Sequence, residues 1–533
     1  MNSRSGKSKR PSLQSPTGAS AWEATVRVVA VIAVLVLSAS LLANSMTKEV
    51  GRDEQVYCTA GVLLSQGKMI YRDFSYPGHL PYHPLLLAAL YRGLGTTHYL
   101  LVGRILSAAC DILVVLLIIQ IYRSIFVRYR MEGLLFGLAA AVLYVFNPLV
   151  DYAAGYAWNH DVVILCVVLA VWLFVTTDFQ HGPRDWRTAA MGALLAFATC
   201  MRVTTALAAI VVLVMLLATI PGSWRARGRV ALPFLVAGLI VCLWPVWVIL
   251  HAPQAFLLNL VRIPSLIAAW LQEIHMAFGK VALTVAALTM PGYLMLLVLA
   301  GFLGWIGVRL RSSQDVQEKR KATLAALLPV VFLVIAYIPP TMWHQYLAVP
   351  VPFAAIAFAY PLVWLRRRAE KGDGKISYKA ACYLSVTAAA ISIFAYPVVL
   401  YRSLAVLVPE MWVPVKMHGL SAEVTATMKG REPVLTLGPL YALEGGRDIY
   451  PELSCGSVIY RVADRVTPEE RRITHTVGPD SLRELVQDRP PSGVIVGIEA
   501  PRFSFLEDPL RRLVPPAWPR TTTENGLQVY TRP

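Results

Sequence analysis

The chain has 533 residues, enough for three or four soluble domains of about 150 residues each, but its composition excludes that architecture. Hydrophobic residues make up 56% of it, charged residues only 15%, and the mean hydropathy is +0.55. Soluble domains carry about 25% charged residues, so a chain this apolar needs lipid around most of its surface. We therefore predict a polytopic α-helical membrane protein.

The net charge of +17 results from 49 basic and 32 acidic residues. The basic residues lie in short runs between apolar stretches, where they act as topology signals, so we expect no nucleic-acid partner. Five of the seven cysteines fall within apolar stretches, and only Cys58 and Cys455 lie outside them. Their spacing fits no metal site and allows at most one disulfide.

Eleven stretches are long and apolar enough to be membrane helices. Their approximate limits are 25–46, 99–121, 133–150, 161–177, 188–201, 203–220, 230–250, 284–308, 323–339, 347–365 and 378–400. Only Arg202 separates the fifth stretch from the sixth. These two are either full crossings or two short helices that dip into the membrane from the cytoplasm.

Basic residues accumulate in alternate loops, which the positive-inside rule assigns to the cytoplasm. The N-terminus is then cytoplasmic, with residues 1–24 disordered, and the first span is kept as a signal anchor. The transmembrane module extends over residues 25–400. Two pieces fall on the outer side: the loop 47–98, and a small α/β domain at 401–533. That domain contains predicted strands at 433–438 and 492–497 and a predicted helix at 479–487.

The first outer loop is patterned like two helices that lie along the membrane surface. Apolar residues between Asp53 and Gln66 recur at helical spacing, and Gly67 ends that run. A second run extends from Pro84 to Leu94 before Gly95. Joined by an aromatic turn, these helices would form one wall of a cavity at the membrane boundary.

Asp53 and Glu54 stand together at the start of the first of these helices. A carboxylate at this position commonly caps the helix N-terminus. The alternative is a general base at the lipid boundary, where partial desolvation raises the pKa of a carboxyl group toward neutral pH.

The loop as a whole resembles the opening of the GT-C glycosyltransferase superfamily. The motif is an acidic pair, a Tyr, a small-residue stretch, Gly-Lys-Met-Ile-Tyr-Arg-Asp-Phe and a Pro-Gly turn. The likeness is strongest to the protein O-mannosyltransferases and the lipid A aminoarabinose transferases. It extends over residues 25–365 in topology, but only short stretches carry motifs.

The resemblance implies a fold of about eleven membrane helices and transfer of a sugar from a polyprenyl-phosphate carrier at the outer face of a bacterial inner membrane. Asp53 then corresponds to the catalytic base, and the displacement inverts the anomeric carbon. The loop residues expected to bind substrate are Glu54, Tyr57, Tyr71, Arg72 and Asp73.

The next outer loop contains a second candidate, Asp161, at the start of a span. The resemblance implies a second catalytic carboxylate there, whereas a helix-capping role for Asp161 or Asn159 is the plainer alternative. With Asp53 and His160, Asp161 offers possible ligands for a divalent cation. Because neither loop contains an Asp-x-Asp motif, we favour metal-independent chemistry and predict no cofactor.

A phosphate leaving group needs a cation nearby. Arg202, alone between two apolar stretches, is the best candidate. Arg104 and Asp111 lie seven residues apart on one helix face and are expected to be structural partners. The aminoarabinose transferases carry a Lys-Pro-Pro run in the first loop, but this chain has His79 in that region.

The last motif lies near the start of a late span. His344 and Tyr346 stand in a run that loosely matches the donor-binding Tyr-x-Leu-Pro run of the family, and an aromatic belt at the membrane surface is the alternative.

Two other functions remain open. A lipid-linked glycan transporter or flippase should show repeated halves and charges along a pathway, which the sequence lacks. A glycan polymerase or ligase with a polyprenyl-diphosphate donor would use the same cavity. The sequence does not identify the sugar, or whether the acceptor is a lipid, a glycan or a protein. The oligomeric state and the role of the C-terminal domain are likewise undetermined.

Overall fold

The computed structural model describes residues 21–180, 185–276, 279–312 and 314–533. Of the segment predicted to be disordered, residues 1–24, the first 20 lie outside the described residues. Residues 21–24 already belong to the first helix.

Helices dominate the chain up to residue 407, which confirms a multi-pass helical membrane protein. Within the described ranges, eight helices are long and apolar enough to cross a membrane: Ala21–Thr47, Tyr99–Ile125, Trp224–His251, Pro253–Glu273, Pro291–Arg311, Val316–Tyr337, His344–Glu370 and Lys375–Ala395. Shorter helices accompany them: Arg130–Val145, Pro148–Ala153, His160–Thr176, Asp185–Thr199, Ala206–Thr219, Lys280–Leu288 and Val398–Ser403. Each of the eleven predicted stretches overlaps helix, but 284–308 is divided between Lys280–Leu288 and Pro291–Arg311, and 133–150 between Arg130–Val145 and Pro148–Ala153.

The helix Pro253–Glu273 was not predicted. The number of membrane crossings before and after it places it along the membrane surface. The spans on either side of it account for one crossing each, so a further crossing would put the next loop on the wrong side. A π-helical turn at Leu258–Arg262 interrupts it. There the Asn259 carbonyl accepts a hydrogen bond from the Gly78 N–H at 2.9 Å, which ties this helix to the first loop.

The helices Asp185–Thr199 and Ala206–Thr219 are too short to cross a bilayer. At 15 and 14 residues they extend about 22 and 21 Å, against about 30 Å of hydrocarbon. The turn between them, which carries Arg202, is therefore recessed into the membrane. The Leu80 N–H donates to the Met201 carbonyl at 3.4 Å, so the first loop descends to meet this turn.

The first loop contains the two predicted surface helices. They extend over Arg52–Ser65 and Tyr82–Leu94, close to the predicted bounds. The second ends at Gly95, whose φ of 58° is a left-handed conformation that favours glycine. Between the helices, Tyr71 has a φ of 66°, which is uncommon for a residue with a side chain.

The C-terminal part is a small α/β domain. Its sheet comprises β1 (Val434–Thr436), β2 (Gly493–Val496), β3 (Arg520–Thr522) and β4 (Gln528–Thr531) in the order β1-β2-β4-β3. β1 pairs with β2 in parallel, and the other pairs are antiparallel. The surrounding helices are Val413–Ala426, Pro439–Glu444, Ser457–Tyr460, Pro468–Thr474, Leu482–Asp488 and Asp508–Arg512.

This domain docks on the first loop. The Ser75 hydroxyl donates to the Thr474 carbonyl at 2.7 Å, and the Cys455 thiol donates to the Ser75 carbonyl at 3.1 Å. The Leu100 N–H donates to Glu444 at 2.7 Å. The domain and the loop therefore lie on the same face of the helix bundle, and they enclose the region where the candidate residues meet.

Candidate active site

Glu54 is a structural residue and does not face the site. Its buried carboxylate binds the Arg104 guanidinium through two hydrogen bonds of 2.6 and 3.1 Å. It also accepts the Gly51 N–H at 2.6 Å, which caps the helix, and the Ala157 N–H at 3.0 Å. The prediction that Glu54 binds substrate is therefore wrong, because protein donors occupy both of its oxygens.

Arg104 and Asp111 do not pair with each other, contrary to the sequence prediction. Asp111 instead accepts a hydrogen bond from the Tyr144 hydroxyl at 2.9 Å. Asp161 is fully buried and accepts the Gly155 N–H at 2.9 Å. With no surface open to a substrate, Asp161 holds the loop before its own helix, and the structure gives it no catalytic position.

Asp53, the other member of the acidic pair, has a different environment. Its side chain is exposed, and among the described residues it forms neither a hydrogen bond nor an ion pair. Protein nevertheless surrounds it, and this desolvation raises the pKa of its carboxyl group, an effect that Glu54 reinforces and that Arg461 and Arg52 oppose. The Asp53 carboxylate is therefore accessible although protein atoms surround it.

Arg202 lies at the centre of the second group of candidates. Its guanidinium donates to the Asn159 side chain at 3.2 Å and lies 5.9 Å from the centre of the Tyr346 ring. Its charge also acts on His160 and on His79. The recessed turn thus brings together residues from three separate loops.

Tyr57 and Tyr346 connect the two groups. Each lies within electrostatic range of both Asp53 and Arg202. The site therefore combines a carboxylate and a guanidinium with two phenol groups that lie within electrostatic range of both. This arrangement matches a reaction in which a proton leaves on one side and negative charge develops on the other.

His79 lies inside the site but does not supply a cation. Its ring is 5.2 Å from the Tyr57 ring. Burial, and then the charge of Arg202, lower its pKa to about 3, so it is neutral at physiological pH. At this pKa, His79 does not carry the positive charge that the family's lysine supplies. A neutral His79 remains able to hydrogen-bond a substrate, since its buried Nδ1 has no partner among the described residues.

The remaining loop candidates support the site from outside it. The Tyr71 hydroxyl donates to the His79 carbonyl at 2.7 Å and so orients that segment. Arg72 and Asp73 form an ion pair of 2.7 Å with each other on the protein surface, and Asp73 also accepts the Met69 N–H. A substrate contact of Arg72 or Asp73 would have to compete with this ion pair, and their role in binding stays a prediction.

His344 lies at the rim of the site. Its ring packs edge to face against Tyr152 at 5.7 Å, and Tyr152 is 47% exposed and within electrostatic range of Asp53. Sequence reasoning did not identify Tyr152, since one tyrosine in a short loop carries no motif.

Arg461 is a second site residue that the sequence did not indicate. It belongs to the C-terminal domain, directly after the helix Ser457–Tyr460, which packs against the helix Arg52–Ser65. Its charge acts on Asp53. The sequence does not distinguish Arg461 from the other arginines of this domain. Its proximity to Asp53 arises only in the fold, since 407 residues lie between the two.

Among the described residues, no three His, Cys, Asp or Glu side chains converge as a metal site. The proposed trio of Asp53, His160 and Asp161 is not such a group, because the charge of Asp161 acts on Asp111 and Lys48 and not on Asp53. Metal-independent chemistry stays a prediction.

A long apolar groove lies beside the site. It has a volume of about 580 Å³ and is lined by the helices Pro291–Arg311, Val316–Tyr337 and His344–Glu370. Tyr293 lines its upper part and donates a hydrogen bond to the Leu347 carbonyl at 3.1 Å, next to Tyr346. One end of the groove therefore lies near Leu347, the residue after Tyr346, and its lining extends to Arg311.

No family model matches the chain, and no curated protein matches its sequence. Among solved structures, ArnT from Cupriavidus metallidurans bound to undecaprenyl phosphate matches with a TM-score of 0.59 and 14% identity, over 96% of this chain and 98% of that one. The apo state of that protein gives 0.58 at the same identity and coverage. An Archaeoglobus fulgidus oligosaccharyltransferase tethered with an acceptor peptide gives 0.51 and 10% identity, over 96% of this chain and 74% of that one. Identity this low shows the fold alone: the chain has the GT-C fold, which confirms the fold class predicted from its motifs.

Proposed function

We propose that this chain is a membrane glycosyltransferase that moves a sugar from a polyprenyl-monophosphate carrier to an acceptor, with Asp53 as the general base. One observation carries the proposal: the exposed carboxylate of Asp53, unpaired among the described residues, and the guanidinium of Arg202 both lie within electrostatic range of Tyr57 and Tyr346. The fold shared with ArnT and the oligosaccharyltransferase supports it.

In this reaction Asp53 accepts the proton of the acceptor nucleophile as that atom bonds to the anomeric carbon. The bond from the anomeric carbon to the carrier phosphate breaks on the opposite face, so a single displacement inverts the anomer. Arg202 neutralises the charge that develops on the departing phosphate, and Tyr57 and Tyr346 add hydroxyl groups. No covalent sugar–enzyme intermediate is required.

The charges of the site favour a monophosphate over a diphosphate. On the donor side, His79 is neutral, the charge of Arg202 acts on Tyr57, Tyr346 and His160, and the charge of Lys48 also acts on His160. A diphosphate would bring more negative charge than one guanidinium neutralises. The neighbour ArnT was solved with undecaprenyl phosphate, which has a single phosphate.

The apolar groove provides space for the isoprenoid tail of such a donor. It starts beside Tyr346 and its lining is overwhelmingly hydrocarbon, with Arg311 at the far end. A tail lying there would leave the phosphate at the level of the recessed Arg202 turn.

The location follows from the basic loops and the fold. We assign the protein to the inner membrane of a bacterium, with the N-terminus in the cytoplasm and the site and C-terminal domain outside. The positive-inside rule supports this orientation, and the neighbour ArnT is bacterial.

The test is Asp53→Asn, which removes the charge and keeps the shape. In cells that depend on the protein, this variant should accumulate the sugar-loaded polyprenyl phosphate, as loss of the protein would. With purified protein in nanodiscs, transfer should fall by about 10²- to 10⁴-fold. Asp73→Asn is the matched control in the same loop and should keep full activity. Transfer by Asp53→Asn at the parent rate would refute the assignment of the base.

A further inference from the structure

The region around Asp53 contains an arginine, Arg461, whose charge has no ion-pair partner among the described residues. Arg461 packs on the Trp270 ring, with 4.9 Å between its guanidinium carbon and the ring centre. Its buried Nε has no hydrogen-bond partner, and no ion pair within 4.0 Å joins the guanidinium to any described carboxylate. An enclosed guanidinium without an anion is costly, so this position calls for a ligand.

The neighbouring arginine shows why Arg461 remains unpaired. Glu499, a carboxylate of the C-terminal domain whose charge acts on Arg461, forms an ion pair of 2.6 Å with Arg52. The Arg52 guanidinium also lies 4.5 Å from the Phe503 ring, and Phe503 stacks on Trp270 at 6.1 Å. A stacked aromatic pair therefore separates the two arginines and fixes both, while Glu499 is committed to Arg52.

Asp53 and Arg461 lie close enough for each charge to act on the other, with a gap of more than 4.0 Å between the charged groups. Neither side chain has a hydrogen bond to a described residue. The gap therefore leaves both charges without a direct ionic contact among the described residues. A ligand that spans the gap would offer a proton to the carboxylate and a negative group to the guanidinium.

The gap lies on the acceptor side of the proposed reaction. The charges that act on Arg461 are those of Arg52, Asp53 and Glu499, whereas Arg202 acts on His79, His160, Tyr57 and Tyr346. In an inverting displacement the nucleophile enters opposite the leaving phosphate. A group bound by Arg461 therefore belongs to the acceptor.

We propose that Arg461 of the C-terminal domain binds an anionic group, a phosphate or a carboxylate, which the acceptor carries close to its nucleophile. The identification of the ligand as the acceptor rests on the proposed function. The anion site itself does not require that transfer occurs. It gives the C-terminal domain a direct role: the domain completes the site with a residue that the helix bundle lacks.

The experiment uses the full-length protein in phosphatidylcholine nanodiscs and needs no transfer reaction. A hydrophobic carbodiimide modifies the Asp53 carboxyl group, and mass spectrometry of the Asp53 peptide gives the rate. Glycerol 1-phosphate and glycerate are the anionic probes, and glycerol is the uncharged one. We expect either anion to slow modification at least fivefold and glycerol to have no effect.

Variants locate the anion. Arg461→Gln should raise the probe concentration needed for protection at least tenfold, and Arg461→Lys should restore part of the effect. Arg465→Gln, an exposed arginine of the same domain paired with Glu273 at 2.6 Å, should behave as the parent. The modification rate of each variant with probe is compared with its own rate without probe, so a changed reactivity of Asp53 does not affect the result. A monodisperse elution profile together with retained Asp53 reactivity shows that Arg461→Gln is folded.

Two outcomes would overturn the proposal. One is equal protection in Arg461→Gln and the parent. The other is protection that is lost in Arg202→Gln and kept in Arg461→Gln, which would place the anion on the donor side. If anions protect through Arg461 while Asp53→Asn still transfers sugar, the proposed base fails and the anion site stands.

Discussion

Asp53 and Glu54 are consecutive residues whose carboxylates have opposite environments. Glu54 is fully buried and holds Arg104 at 2.6 Å, whereas Asp53 is exposed and unpaired among the described residues. The helix explains the division, since its second and third residues point in directions about 100° apart. Glu54 takes the capping role for which either residue was a candidate, and this leaves Asp53 available for chemistry.

Glu54→Gln should destabilise the protein without acting on the chemistry. The change leaves the buried Arg104 guanidinium without its counter-charge, and breaking a buried pair costs about 3 to 5 kcal/mol. A lower thermal unfolding midpoint in detergent is the expected result. Glu49→Gln, at an exposed position nearby, should unfold like the parent. An unchanged midpoint for Glu54→Gln would show that the pair contributes little.

Transfer should be lost as the pH falls. The base must be ionised to accept a proton, and desolvation raises the pKa of Asp53 above that of an ordinary aspartate. The rate therefore rises with pH through this raised pKa and then levels. Arg461→Gln removes a charge that favours ionisation, so its kcat/KM profile should shift to higher pH. A profile that keeps its midpoint in Arg461→Gln would contradict the electrostatic coupling of the two residues.

His79 should contribute no inflection near pH 6.5. Its pKa of about 3 means that its charge does not change in the neutral range. The pH profile of His79→Gln, whose side chain stays neutral, should therefore keep the shape of the parent profile even where the rate is lower. Loss of an inflection between pH 6 and 7 in this variant would show that His79 titrates in the working enzyme.

Arg202→Lys should separate charge from geometry. Lysine keeps a positive charge but loses the planar fork that contacts Asn159 and Tyr346. We expect a higher KM for the donor and a lower kcat, with a larger loss in Arg202→Gln. Steady-state kinetics with a short-chain polyprenyl-phosphate sugar measure both constants. Equal kinetics for Arg202→Gln and the parent would exclude Arg202 from the phosphate site.

The orientation is testable with cysteine reporters. Asp480→Cys lies in the exposed part of the C-terminal domain and should react with an impermeant maleimide on intact cells. Asp373→Cys, in an exposed turn between basic helices, should react only after permeabilisation. The reverse pattern would invert the assigned topology.

The amino-acid sequence alone determined the membrane architecture, the two surface helices and the acidic pair that marks the site. These features depend on local patterns: apolar length, helical periodicity and glycine at helix ends. Helix Pro253–Glu273 was not predicted because its apolar segment is marginal and begins with polar residues and a proline. Its π-helical turn contains Asn259, whose carbonyl accepts a hydrogen bond from the first loop.

Only the tertiary structure decided which member of each candidate pair is free to react. The partner of Glu54 is Arg104, the pair Arg72–Asp73 is closed on itself, and His79 is neutral because the fold buries it beside Arg202. Such outcomes depend on distances between residues far apart in the chain, which no local pattern encodes. For the same reason the sequence did not indicate Arg461, since this residue comes near Asp53 only when the C-terminal domain packs on the first loop.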